Sequence, residues 1–525
     1  MQRLSKLYVG PIKVAFAILW LYLFVIASLQ TIATNNGYTL PVAFFIGFFT
    51  FTLTYFIFYL LSGISIKINS DRIENNDKKI RIITLSILVI TFLFYFGYFL
   101  CQYPGGSSSD VGSQYSQALI GEYSDWHPVL HTLLFFTIPL NLTNFGFPIV
   151  VFLQLVYFSI AFAYLMSVLI RTGIKTPFII LLCFFVWVNP YLATYFMYPW
   201  KDLALTIFAI VLVGQYIQIV LSKGKWFEKK INMVAFAVIS VLCMYMRHNA
   251  ILFGIPLIFI AVMYARKNKK TMISIVILVV VLALSVQGLY VVLNVEKPAE
   301  RTLETVGLPA TIWCGVMQKN PEALPEETRE VMYQIATQEQ FNNNYSDDGS
   351  FNSIKWNGAN ADIIDAMSYG EVIKYTIQCF IYAPKASFES FAKLTDMVWR
   401  IDENEGLIGV WASAEQVGID SSANGRLAHY YSQYKNFFSS SGILKAIFGS
   451  YGLQILILLS VGCVLFAKRR IGFIHALPMF FYNLGTMLLL SGSDYRFFVY
   501  NIPTWIAILF LMIADKSEFR LKSLC

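Results

Sequence analysis

Four short clusters of residues combine acid, base and cation in patterns suited to chemistry. The first begins Tyr103-Pro104-Gly105-Gly106-Ser107-Ser108-Ser109-Asp110 and continues through Gln114 and Gln117. It ends on Ser124-Asp125-Trp126-His127-Pro128. The second is Tyr198-Pro199-Trp200-Lys201-Asp202, the third Arg247-His248-Asn249, and the fourth Gly492-Ser493-Asp494-Tyr495-Arg496. A carboxylate in a partly desolvated loop can take a proton from a hydroxyl. Arginine and lysine are fixed donors for an anion such as a phosphate. Each cluster also has an ordinary alternative. Pro104-Gly105-Gly106 reads as a turn, a single Asp as a helix cap, Arg247 as a snorkelling side chain, and Asp494 with Arg496 as a local pair. The alternatives do not explain why acids and bases recur together in all four places.

The elements that carry these clusters follow from composition and hydropathy. The chain has 525 residues, 57% hydrophobic and 13% charged, where soluble domains run near 25% charged. Apolar runs sit at 12–33, 40–65, 82–100, 147–170, 176–196, 203–222, 231–246, 249–265, 271–294, 446–467, 471–491 and 497–514. At about 20 residues per crossing these read as roughly twelve spans of an all-α polytopic membrane protein. The positive-inside rule tests that topology. Basic clusters fall at Arg3/Lys6/Lys13, Lys67–Arg81, Arg171/Lys175, Lys223–Lys230, Arg266–Lys270, Lys468–Arg470 and Lys516–Lys522. With both termini cytoplasmic, every one lies inside, and the four chemical clusters lie at outer helix ends. Val129–Leu140 is too short for a span and reads as a re-entrant or interfacial helix. The formal charge of +8 is thus a topology signal and not a nucleic-acid footprint.

Four parts follow: an N-terminal hairpin and cytoplasmic loop (1–81), a membrane core (82–294) whose external loop 101–146 carries the first cluster, an external and mainly helical domain (295–445), and C-terminal spans with a short tail (446–525). Within the external domain, Pro325 followed by Glu326 and Glu327 marks a helix start. Phe388, Phe391, Leu394 and Val398 predict an amphipathic helix from Pro384, and Asn342–Ser353 reads as a polar loop. Trp313, Trp356, Trp399 and Trp411 are available there as core or as sugar contacts. Cys314 and Cys379 share this segment, which leaves a disulfide between them open; no CxxC or zinc spacing occurs.

Asp110 soon after an early span, and then His127-Pro128-Val129-Leu130, resemble the polyprenyl-phosphate-sugar glycosyltransferases of the GT-C superfamily. More narrowly, PGGSSSD, QxxQA (Gln114 to Ala118), YSDWHPVLHT, WKD, MRHN and DYRFF with Pro503 resemble a bacterial branch related to it, over most of residues 82–514. The resemblance implies a GT-C-like core and transfer of one sugar from a polyprenyl-phosphate donor to a cell-envelope glycan. It places the site on the outer face of the plasma membrane. Asp110 would be the base and Asp202 a second acid. Lys201, Arg247, His248 and Arg496 would hold the donor phosphate. Asp125, His127, Gln114 and Asp494 would contact sugar or acceptor. No cofactor is required; a divalent cation (Mg or Mn) between Asp110 and Asp202 is compatible with the scheme. Ser109 stands where the family often has a second acid, which makes Asp125 a rival base. No WWDYG-type element is present, against whole-glycan transfer to asparagine. A twelve-span secondary transporter and an envelope polysaccharide polymerase or ligase are the competing readings.

Overall fold

Every apolar run read from the sequence beyond residue 77 is helical. The computed structural model describes residues 77–297, 306–345, 350–400, 425–490, 492–515 and 517, with a few positions among 18–52. The two N-terminal spans, the basic clusters Arg3/Lys6/Lys13 and Lys516–Lys522, most of Lys67–Arg81, and Trp411 lie outside the described residues. Among those described there is no strand; an isolated parallel bridge joins Ser124 and Glu296.

In chain order the elements that matter are α1 (Asp77–Cys101), α2 (Ser109–Ile120), α3 (Val129–Leu142), α4 (Phe147–Arg171), α5 (Thr176–Trp187), α6 (Pro190–Phe196), α7 (Lys201–Leu221), α8 (Lys230–Tyr245), α9 (Ile251–Ala265) and α10 (Lys269–Val292). A group of helices richer in polar residues follows: α11 (Gly307–Lys319), α12 (Glu326–Ile335), α13 (Gln338–Asn344), α14 (Asn352–Lys355), α15 (Ala361–Ala366), α16 (Tyr369–Tyr382) and α17 (Pro384–Trp399). The chain ends in α18 (Gly425–Ser440), α19 (Gly442–Gly449), α20 (Tyr451–Ala467), α21 (Leu477–Leu488) and α22 (Asn501–Ala514). Among the described residues seven helices are long and apolar enough to cross a membrane, or up to nine if each bent pair is one span. That is the makeup of a multi-pass membrane protein, with fewer unbroken spans than the sequence predicts over the same residues.

The differences have local causes. The run at 176–196 bends by 59° between α5 and α6, because Pro190 offers no backbone N–H and Asn189 caps the new helix by accepting from the Leu192 N–H. The Asn189 amide also donates to the Phe448 carbonyl at 2.9 Å. That contact ties this break to the second one, a 66° bend between α19 and α20 where Ser450 caps α20. Helix α8 has 16 residues, short of the usual crossing length.

Helix α7 is the buried axis of the bundle. It lies against α4, where Gly214 allows a close approach: a Cβ there would come within 2.7 Å of the Tyr164 ring. Helix α10 is at the rim, with Val280, Val281 and Leu284 exposed. Such a bare aliphatic face is stable only against an apolar surrounding.

In the polar-rich group, α12 starts at Pro325 as expected. Helix α17 forms as expected but is rotated. Leu394 and Val398 are buried, while Phe388 is 46% exposed and meets Phe380 edge-on. The buried face is set instead by small residues, because Gly315 of α11 sits directly against Ser390. Asn342–Ser353 is not a continuous loop, since α13 and α14 enter it at both ends. Cys314 and Cys379 are free, buried thiols. Helix α18 falls inside the stretch read as a separate domain, yet it packs on the bundle. Its Tyr431 hydroxyl lies 2.8 Å from the Thr194 hydroxyl and donates to the Pro190 carbonyl at 3.2 Å; Tyr434 donates to the Val188 carbonyl.

Candidate functional site

The four clusters converge, and the glycines of the first make the approach possible. Gly105 has φ +111°, a conformation open to glycine at little cost. The Gly106 N–H donates to the Met197 carbonyl at 2.8 Å, and the Tyr198 ring lies flat against its Cα, 2.3 Å from where a Cβ would be. Tyr198 stacks on Trp200 with centroids 4.4 Å apart. The Trp200 indole donates to Ser108 Oγ at 2.8 Å, and Ser108 caps α2. From within α4, the buried Gln154 amide donates to the carbonyls of Phe196 and Tyr198, both at 3.0 Å. The first turn of α2, with Asp110, is thereby fixed beside the first turn of α7, with Lys201 and Asp202.

Arg496 is the hub of what results. Its Nη2 lies 3.1 Å from Asp110 Oδ2, and its Nε lies 2.9 Å from Asp494 Oδ2 and 3.7 Å from Asp202 Oδ2. The expected Asp494–Arg496 pair is real, but it is one of three. Arg247 Nη1 lies 2.8 Å from Asp202 Oδ1. The Phe497 ring stands near both guanidiniums, 4.2 Å from Arg247 and 5.3 Å from Arg496. A π face between two cations eases their mutual repulsion. Lys201 Nζ donates to His127 Nδ1 at 3.3 Å, so His127 accepts as the neutral ring. The core thus sets three cations (Lys201, Arg247, Arg496) against three carboxylates (Asp110, Asp202, Asp494).

Burial alone would raise the Asp110 pKa, but Lys201 and Arg496 hold it well below the usual carboxylate range. Burial, then Lys201, pushes His127 down to about 3. Burial raises Asp494, with Arg496 opposing.

A second constellation lies next to the first. His248 Nε2 is 3.9 Å from Asp125 Oδ1. Both line a cavity of about 490 Å³ between α8, α9 and α10, with Tyr245, Ile251, Tyr290 and Val291 among its walls. Val291, in its wall, is 76% exposed and belongs to α10, the helix with the bare aliphatic face, so the cavity opens toward that rim; Gln287, Asn294 and Lys297 line it as well. The backbone at Asp125 is pinned: its N–H donates to the Glu296 carbonyl at 2.8 Å, and Glu296 N–H donates to the Tyr123 carbonyl at 2.9 Å. Asp110, Asp202 and Arg496 do not line the cavity.

The structure therefore assembles Asp110, His127, Lys201, Asp202, Arg247, Asp494 and Arg496 in one cluster and Asp125 with His248 in another. Gln114 is elsewhere: its amide lies 2.8 Å from His131 Nδ1 and donates to Thr132 Oγ1 at 2.9 Å, which fastens α2 to α3. Asp202 is wholly buried, whereas the Asp110 side chain is 27% exposed. In this arrangement Asp202 acts on the arginines, while Asp110 and Asp494, with side chains 27% and 37% exposed, are the acids of the cluster open to the outside. Sequence reasoning missed Gln154, Trp200 and Phe497 as supports. The signals available were a lone glutamine within the apolar run of α4 and the aromatic residues inside the WKD and DYRFF elements. Among the described residues, no group of three or more His, Cys, Asp and Glu side chains is placed to hold a metal ion.

Arg247→Gln is expected to cost about 3–5 kcal/mol of stability, because it leaves Asp202 buried without its closest partner. Adding Asp202→Asn should restore a large part of that loss. Thermal unfolding of both single variants and the double variant in detergent measures the coupling; simple additivity would refute the pairing.

The fold and site define an all-helical protein of the multi-pass membrane type. Residues 123–363 match a family of unknown function, DUF6020. That stretch contains Asp125, His127, Lys201, Asp202, Arg247 and His248, and it excludes Asp110, Asp494 and Arg496. No curated protein and no solved structure matches the chain.

Proposed function

We propose that the protein is a GT-C-like membrane glycosyltransferase with about twelve spans and both termini cytoplasmic. It moves a single sugar from a polyprenyl-phosphate donor to a hydroxyl of a cell-envelope glycan at the outer face of the bacterial plasma membrane. The observation that carries this reading is the assembly of Asp110, Lys201, Arg247 and Arg496 beside a cavity that opens toward the apolar rim. An anionic headgroup on a long lipid needs both halves of that arrangement: fixed cations for the phosphate and an apolar wall for the chain.

The donor chain lies in the cavity between α8, α9 and α10, and its phosphate engages Arg496, Lys201 and His248, with Arg247 behind them. The phosphate takes over the cations that hold Asp110 in its resting state. Its negative charge then raises the proton affinity of Asp110, which becomes a stronger base once the donor is bound. Asp110 accepts the proton of the acceptor hydroxyl, and that oxygen forms the bond to the anomeric carbon. The carbon–oxygen bond to phosphate breaks, and polyprenyl phosphate leaves with the bonding pair. A single displacement inverts the anomeric centre. If a divalent cation bound, Asp110 and Asp202 would hold it and it would supply positive charge for the leaving phosphate; Arg496, which contacts both acids, is a source of positive charge within the chain itself.

Deleting the gene is expected to remove one sugar substituent from an envelope glycan, and the wild-type gene should restore it. Compositional and linkage analysis of purified envelope polymers reads this out. A shortened polymer would point to a polymerase, and unchanged glycans with altered solute uptake to a transporter.

A further inference from the structure

The segment 350–356 connects the two site loops. At one end Ser350 and Asn352 rest against Gly492, in the loop of Asp494 and Arg496. A Cβ at Gly492 would come within 2.3 Å of Asn352 Nδ2 and 3.3 Å of Ser350 Oγ. In the middle, the Phe351 N–H donates to Thr311 Oγ1 at 3.1 Å, and Phe351 and Ile354 are fully buried. At the other end the Trp356 ring lies 6.3 Å from the ring of Trp126, inclined at 56°. Lys355 Nζ sits 4.4 Å from the Trp356 centroid and 5.0 Å from that of Trp126. The ammonium holds the two indoles in place, and the residue is itself buried. Yet Trp356 is 64% exposed. A well-anchored segment thus presents a bare indole beside Trp126, the residue between Asp125 and His127.

Those three consecutive residues go three ways. Asp125 lines the apolar cavity, His127 accepts from Lys201 in the charge cluster, and Trp126 meets the polar-rich helices. We infer that Trp126, Trp356 and Lys355 form the binding subsite for the acceptor saccharide, an inference that rests on the transferase reading above. A sugar ring has one face of C–H bonds and a rim of hydroxyls. It matches an exposed indole with an ammonium held between it and a second indole. The lipid donor belongs on the other side of Asp125, where Pro128, Met244, Ile251 and Val291 supply apolar wall and His248 and Lys297 supply a polar edge. A saccharide on the indoles is one residue from Asp125 and from His127, so a hydroxyl at its edge enters the reacting region from the side opposite the donor.

The test uses the full-length protein in lipid nanodiscs. The probe is a size-fractionated oligosaccharide hydrolysate of the host's own envelope polysaccharide, with binding followed by calorimetry. Trp356→Ala is expected to weaken binding about tenfold or more, and Trp356→Phe to weaken it less, since a smaller ring still stacks. The melting temperature of Trp356→Ala should be unchanged, because its side chain is mostly exposed. Equal binding by wild type and Trp356→Ala, or no saccharide binding by wild type, overturns the assignment. The transferase reading is judged separately, by the envelope glycans of a strain carrying Asp110→Asn. Loss of the sugar there, with normal binding by Trp356→Ala, moves the acceptor elsewhere and leaves the transferase standing. Normal glycans there, with binding lost in Trp356→Ala, keep the saccharide subsite and remove the transferase.

Discussion

Arg496→Ala is expected to be among the most destabilising single substitutions in the chain, costing about 3–5 kcal/mol, the range for stranding buried charge. The guanidinium faces Asp110, Asp494 and Asp202 at 3.1, 2.9 and 3.7 Å. Without it, three carboxylates face one another across a largely buried space with Arg247 and Lys201 as the nearest cations. Arg496→Lys keeps the charge but not the fork, since an ammonium is a point donor on a flexible stem. It should regain part of the stability and little of any activity. The pH dependence gives a sharper check. In the wild type the folded-state pKa of Asp110 is depressed by Lys201 and Arg496. Its contribution is therefore complete above the unfolded value of about 4 and is lost as pH falls below it. In Arg496→Ala the stranded carboxylates repel, so acidification relieves strain. Thermal unfolding in detergent, followed from pH 7 down to about pH 2, should fall for wild type only below about pH 4 and stay level or rise for the variant. Parallel curves would mean that Arg496 does not neutralise this cluster.

How much of this was legible in the sequence depends on which interaction sets each feature. Helices along apolar runs were readable because burial in an apolar surrounding is a property of composition over a window. The breaks at Asn189-Pro190 and at Ser450 were not, because the same averaging hides a single interrupted hydrogen-bond ladder. The four clusters were legible as chemistry because acids and bases are scarce in this chain. Their internal wiring was not. Gln114 has the right residue type but turns toward His131 and Thr132, a direction set by how α2 docks on α3. Asp202 and Asp110 look equivalent as acids at helix starts, yet one is sealed between arginines and the other is partly open. Helix α18 read as part of a soluble domain because its mean hydropathy is low. Its tyrosines pack on the bundle by donating hydroxyls to the carbonyls freed at the α5–α6 break, a complementarity invisible along one segment.

Asp110→Asn is expected to abolish transfer while leaving abundance and membrane insertion normal. The two halves of that expectation come from different properties of one side chain. An amide oxygen still accepts from Arg496, and the helix cap at Ser108 does not involve Asp110. The local geometry therefore survives, and the cost is that of weakening one charge-assisted contact. Basicity, however, is gone, and losing a general base lowers a rate by about 10²–10⁴. Quantifying the envelope substituent in a deletion strain complemented with wild type or Asp110→Asn, at matched protein levels, makes the comparison. Asp202→Asn is the informative contrast. It disturbs a wholly buried ion pair, so its effect should appear first in stability and only through that in activity. If Asp110→Asn keeps its activity in correctly inserted protein, the base is another acid, either Asp494 in the same cluster or Asp125 beside it. Asp202 is too deeply buried to replace it. Asp494→Asn in the same assay separates the two that remain: if it too keeps its activity, the base is Asp125, which lines the cavity beside His248, and the chemistry would then lie at the mouth of that cavity, with Arg496 acting on the phosphate alone.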